Sequence, residues 1–212
     1  LRGEHVRHAF LAAVVGLTNP AFAQGPTVVA PAAAAADSVL SAAAARGFAG
    51  VALVIKDGVP ILRKGYGLAQ RENRVAFEPG TVVQVGSNTK DFTIVAILQL
   101  MARGKLAPTD SISRFFPDAP ADKRGITIRQ LLDHRSGMPI GIGPDPELVP
   151  RDEFRRRVMA AKLVAQPGER EQYSNAGFSL LALVIEQLSG QTYDEYVRDN
   201  ILTPAGLTRT GY

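Results

Sequence analysis

The chain has 212 residues, 46% hydrophobic and 21% charged, with 24 Lys and Arg against 20 Asp and Glu and no cysteine. Such a composition supports one sizeable apolar core and excludes a small disulfide-stapled scaffold. A formal net charge of +4 is too mild to call for a nucleic-acid partner.

In chain order, Arg2 and Arg7 precede the apolar run AFLAAVVGL, which is followed by Asn19, Pro20 and the small-x-small triplet AFA at 21–23. Residues 1–23 therefore read as a secretory signal, and the apolar run is far shorter than the roughly 20 residues that span a bilayer. The expected location is the periplasm or the outside of a bacterial cell, with no stable membrane span. Residues 24–36 form a Pro/Ala-rich leader, and an amphipathic helix is predicted from Asp37 to Arg46, closed by Gly47. Two β-rich runs then flank Asp57-Gly58, a dipeptide suited to the positive φ angles of a tight hairpin turn. A third short strand is expected at TVVQVG, 81–86, running directly into Ser87.

Beyond it the pattern is helical, over 89–102, a short piece near 110–115, and then 127–134, 151–164, 175–188 and 192–200. The basic run Arg155 to Arg157 follows Asp152 and Glu153 and reads as a solvated helix face. The order of elements predicts a mixed α/β (α+β) architecture, a partly antiparallel sheet flanked by helices with a helical subdomain, over a domain at 37–212. The sheet is too small for its helices, so further C-terminal strands are expected to be missing.

Chemistry enters at VQVGSNTKDFTIVAILQL, Val83 to Leu100, where Ser87 and Lys90 open an otherwise apolar helix. Residues at i and i+3 share a helix face with Cβ atoms roughly 5–6 Å apart, so the amine can reach the hydroxyl. A helix apolar on every side is expected to be buried, and a desolvated amine at its mouth is disfavoured as the cation and free to take a proton. The helix start also offers unpaired N–H groups to a developing oxyanion. A second polar pair, Tyr173 and Asn175, precedes another long apolar helix after the turn-forming QPGE.

The plain structural alternatives are that Ser87 and Asn175 cap their helices and Tyr173 is a core ring. His134, in LLDHRSG, is the only histidine outside the signal and is read as structural. Neither a His/Cys zinc site nor a G-x-S-x-G elbow is available. The mechanism calls for no metal and no organic cofactor.

Taken together, VGSNTK, LLDHRSG, QPGE leading to YSN, AGFSLLALVIEQLSG and ILTPAGL resemble the serine β-lactamase-related family. That family includes class C β-lactamases, D-alanyl-D-alanine carboxypeptidases and esterases with β-lactamase folds. The resemblance implies that Ser87 is the acylated nucleophile and Lys90 its proton acceptor. It further implies that Tyr173 shuttles a proton to the leaving group, that Asn175 hydrogen-bonds the substrate's amide side, and that the Ser87 backbone N–H forms half of an oxyanion hole. The implied substrate is a β-lactam, a peptidoglycan peptide or a small ester. Family members continue into strands bearing a Lys-Thr-Gly or His-x-Gly type motif, so the chain alone is expected to be poorly active or inactive.

Overall fold

The computed structural model describes residues 26–29, 31–143 and 149–212, so the export signal expected at 1–23 lies outside the described residues. The chain divides between Gln84 and Val85 into two compact units.

In the first unit, Asp57 and Gly58 both take positive φ, 52° and 78°, as a two-residue hairpin turn requires. The turn joins β2 (Gly50–Lys56) to β3 (Val59–Tyr66) as the sequence predicts, antiparallel, with Val51 opposite Gly65 and Leu53 opposite Arg63. A short strand without a sequence signal, β1 (Thr27–Val28), pairs on the far side of β3 to give the order β1-β3-β2.

Helix α1 (Pro31–Ala45) packs on β3. It starts within the stretch read as a Pro/Ala-rich leader, well before Asp37. Proline is suited to the first helical position because it has no N–H to leave unpaired, and the alanines after it have the highest helix propensity. From this helix Asp37 accepts hydrogen bonds from Lys64 Nζ at 2.8 Å and Tyr66 Oη at 2.7 Å, both on β3. Burial and the Asp37 charge push the Tyr66 phenol up to about 12. Strands β4 (Leu68–Gln70) and β5 (Val75–Ala76) form a separate two-stranded sheet.

The strand expected at 81–86 does not form. Val82, Val83 and Val85 are exposed, and among the described residues they belong to no ladder. Strand propensity measures how well side chains fit a half-buried pleated surface, so valines with no neighbouring strand form none, and Val85 turns to helical angles, φ -86° and ψ -3°.

The second unit is helical and follows the predicted positions closely. It contains α2 (Thr89–Ala102), a 3₁₀ turn at Ile112–Arg114, α3 (Ile128–Leu132), α4 (Arg151–Ala160), α5 (Asn175–Ser189) and α6 (Tyr193–Val197), the last running into a π turn at Arg198–Leu202. Helix α5 is the hub, packing against α2, α3, α4 and α6. Its residues Leu180, Leu181, Val184 and Ile185 are fully buried, which follows from apolar side chains recurring three and four apart.

Helix α2 departs from expectation. Thr93, Ala96, Ile97 and Leu100 form its inner stripe, but Val95 and Leu98 are 39% and 51% exposed. A helix with apolar residues on every side is not thereby buried on every side; the partners packed against it decide that. The run Arg155 to Arg157 is paired as a solvated face should be, Arg155 with Asp118 at 2.6 Å and Arg157 with Glu153 at 2.7 Å.

Candidate active site

Ser87 sits in a single 3₁₀ turn, Gly86–Asn88, that feeds α2, and Lys90 lies in the first turn of that helix. Lys90 Nζ donates to Ser87 Oγ at 3.4 Å and, more closely, to Asn175 Oδ1 at 2.8 Å. Tyr173 Oη lies 2.6 Å from Ser87 Oγ, with either hydroxyl able to donate. The four side chains singled out in the sequence therefore meet at one place, although Ser87 and Tyr173 are 86 residues apart.

The bland readings of these residues fail on geometry. No side chain caps the 3₁₀ turn or α2, so Ser87 is not a cap. The cap of α5 is Ser174, whose Oγ accepts from Gly177 N–H at 2.9 Å, so Asn175 is not a cap either. Tyr173 is 39% exposed and so is no core ring. Lys90 stands where the positive end of the α2 dipole disfavours a cation, which makes a purely structural reason for it hard to find.

The expected dry helix mouth is not found. Ser87 and Asn175 are exposed and Lys90 is half-buried, so hydrogen bonds and ring faces rather than deep burial hold the amine. Its nitrogen lies 4.8 Å from the centre of the Tyr173 ring and 5.6 Å from that of Phe178, over two aromatic faces. The Lys90 amine, and after it the Ser87 hydroxyl, hold the Tyr173 phenol below its ordinary value of 10, against a smaller opposing effect of burial.

The segment bearing Tyr173 is laced to the LLDHRSG loop. Val164 N–H donates to Gly137 O at 2.8 Å, Gly168 N–H to Arg135 O at 2.7 Å, Gln172 N–H to His134 O at 2.6 Å and Asn175 N–H to Ile140 O at 2.8 Å. Only glycine suits position 137, where φ is +74° and an added Cβ would lie 2.1 Å from Ala165 O. Two contributors were not among the predicted site residues. Ser174, buried inside the YSN triplet, also donates to Pro139 O at 2.7 Å. His134 contacts Tyr173 directly.

Ser174→Ala is expected to cost about 1–3 kcal/mol, because it removes a cap and takes this partner from the buried Gly177 N–H and the half-buried Pro139 carbonyl. The shift of the urea midpoint measures it; an unchanged midpoint would contradict the assignment of Ser174 as the cap.

Known proteins bear on this arrangement. A family model described as Beta-lactamase matches residues 33–212. PbpX of Bacillus subtilis (strain 168) is 34% identical over 166 residues, which make up 78% of this chain and 42% of that protein. Among solved structures, the octameric penicillin-binding protein homologue from Pyrococcus abyssi is 32% identical, with a TM-score of 0.71, over 85% of this chain and 44% of that one. The D-amino acid amidase from Ochrobactrum anthropi SV3, complexed with D-phenylalanine, is 26% identical, with a TM-score of 0.71, over 80% and 49%. The chain thus spans less than half the length of each of these relatives. With the family model matched over most of the chain and the β-lactamase/transpeptidase-like fold shared with these structures, the chain belongs to the serine β-lactamase-related family.

Proposed function

We propose that this chain carries the nucleophile-bearing part of an exported serine hydrolase that acts through an acyl-enzyme on an amide or ester carbonyl. The substrate is a β-lactam, a peptide ending in D-alanyl-D-alanine, or a small ester. One observation carries the reading: Ser87 Oγ stands 2.6 Å from Tyr173 Oη and 3.4 Å from Lys90 Nζ, while Asn175 holds that same amine at 2.8 Å. The exposure of Ser87 supports it too, since a nucleophile must be open to its substrate.

In this reading Ser87 Oγ bonds to the carbonyl carbon as its proton passes to Lys90 Nζ, which takes part as the uncharged amine. Tyr173 relays that proton to the departing nitrogen or oxygen as the bond from the carbonyl carbon to the leaving group breaks. Water then attacks the ester on Ser87, with the same groups moving its proton in the reverse sense. The backbone N–H of Ser87 itself supplies one donor to the developing oxyanion in this reading. Asn175 is placed to bind the substrate's amide side as well as Lys90. The D-amino acid amidase and the penicillin-binding protein homologue among the similar structures support an acyl-transfer reading.

The test is acylation. Incubated with a labelled penicillin and, separately, with a fluorophosphonate, a complete protein that carries this chain is expected to gain the probe's mass on the tryptic peptide Val75–Lys90, at Ser87. Failure of both probes to modify that peptide would overturn the hydrolase reading and leave a binding protein of the same fold.

A further inference from the structure

We infer that His134 is the positioning residue that sets Tyr173 against Ser87, and that it does so only as a neutral imidazole. The inference rests on the hydrolase reading for its effect on catalysis, and on geometry alone for the clamp itself.

His134 follows α3 in a left-handed conformation, φ 54°, and this bend directs both its backbone and its ring at the segment 172–174. Its carbonyl accepts the Gln172 N–H at 2.6 Å, and its Nδ1 accepts the Ser174 N–H at 3.1 Å. One residue thus grips the chain on both sides of Tyr173. Its ring lies against Tyr173, with centroids 4.5 Å apart and planes at 34°, and against Phe178 of α5 at 4.9 Å and 38°. The phenol is therefore held by two backbone hydrogen bonds and a ring wedge, with its hydroxyl left on Ser87.

Because Nδ1 accepts from a backbone N–H, the imidazole proton belongs on Nε2. A second proton on Nδ1 would place a donor against a donor and release the Ser174 side of the clamp. The groups that face His134 are Lys90 from α2, Glu171 and Tyr173 from the segment before α5, and the apolar Phe178 from α5. Burial, and then the Lys90 charge, hold His134 below the ordinary histidine value of 6.5, against a smaller opposing effect of Glu171.

A group lowered in the fold is neutral there while the unfolded chain already binds the proton, so the stability it contributes is fully present above 6.5 and lost as pH falls toward the lowered value. Acylation of Ser87 is expected to lose its rate as pH falls through that same lowered value.

The test uses His134→Asn in the full chain. Asparagine tolerates the left-handed backbone and presents Oδ1 where Nδ1 now accepts, but it has no ring and no proton to gain. Near neutral pH the variant should acylate roughly 10–100-fold more slowly, the scale of a misplacement of about 1 Å. The part of the acid-side loss that follows the His134 titration should vanish. The Tyr173 titration, read by ultraviolet absorbance against a Tyr173→Phe reference, should move up toward 10 as the ring drifts from Lys90. His134→Gly, which keeps the backbone but removes the acceptor as well, should be slower still.

An acid limb that persists unchanged in His134→Asn, or an unmoved Tyr173 titration, would overturn the inference. Nitrogen NMR of the unaltered protein judges the clamp without any variant: the Nε2–H tautomer near neutral pH supports it and the Nδ1–H tautomer refutes it. If the unaltered protein takes no acyl group at all, the hydrolase reading falls, and the tautomer and phenol measurements still decide the role of His134.

Discussion

Ser87→Ala is expected to remove the acyl adduct from the peptide Val75–Lys90 completely, with any turnover of the parent enzyme falling on the order of 10⁶-fold, the scale seen when an acyl-transfer serine is deleted. In the proposed mechanism no other side chain among the four takes its place: Lys90 and Tyr173 move the proton, Asn175 binds, and the exposed Ser87 carries the attacking hydroxyl. The fold should be indifferent to the change. Ser87 is exposed, caps no helix and packs into no core, so the urea midpoint should correspond to a stability within about 0.5 kcal/mol of the unaltered chain. An adduct that survives on Ser87→Ala would show that the nucleophile lies elsewhere.

The second large effect is expected from Lys90→Met, which keeps an unbranched stem and removes the amine. Acylation should slow by about 10²–10⁴-fold, the usual contribution of a positioned proton acceptor. At the same time the Tyr173 phenol should rise toward its ordinary value of 10, because Lys90 is the largest cause of its lowering. Stability should hold or rise slightly, since a cation leaves the positive end of α2 and exposed Asn175 can bond to water instead.

Slower chemistry in an equally stable fold separates a chemical role from a structural one. Lys90→Arg completes the argument: a guanidinium restores the charge but stays protonated, so it should not restore the rate. Recovery with arginine would mean that Lys90 acts as a fixed charge and not as a proton acceptor.

Much of the second unit was legible before any coordinates. The starts of α2 and α5 match the predicted positions because each follows a loop rich in Gly, Ser or Asn and opens a long apolar run. The hairpin was legible for a related reason, since Asp57 and Gly58 adopt the left-handed angles their chemistry favours. The less successful expectations share a cause. The valines of 81–86 have strand propensity but no ladder, α1 extends back to Pro31, and α2 exposes Val95 and Leu98. Each of these depends on what the rest of the chain brings alongside.

The site divides in the same way. Ser87 and Lys90 share a helix face through spacing alone, and Tyr173 and Asn175 could be placed at a helix start from the YSN triplet. That the two pairs touch, that Ser174 rather than Asn175 caps α5, and that His134 grips the residues on either side of Tyr173 could not be read from any window of sequence.

Turn chemistry, helix starts and the serine-lysine spacing are short-range properties, decided within a few residues by dihedral preference and periodicity, and the amino-acid order carried them. Exposure, capping partners and the hydrogen bond between Ser87 and Tyr173 are long-range properties. Tertiary packing alone settled them, because burial and hydrogen-bond partnership are set by groups that become neighbours only when distant stretches of chain fold together.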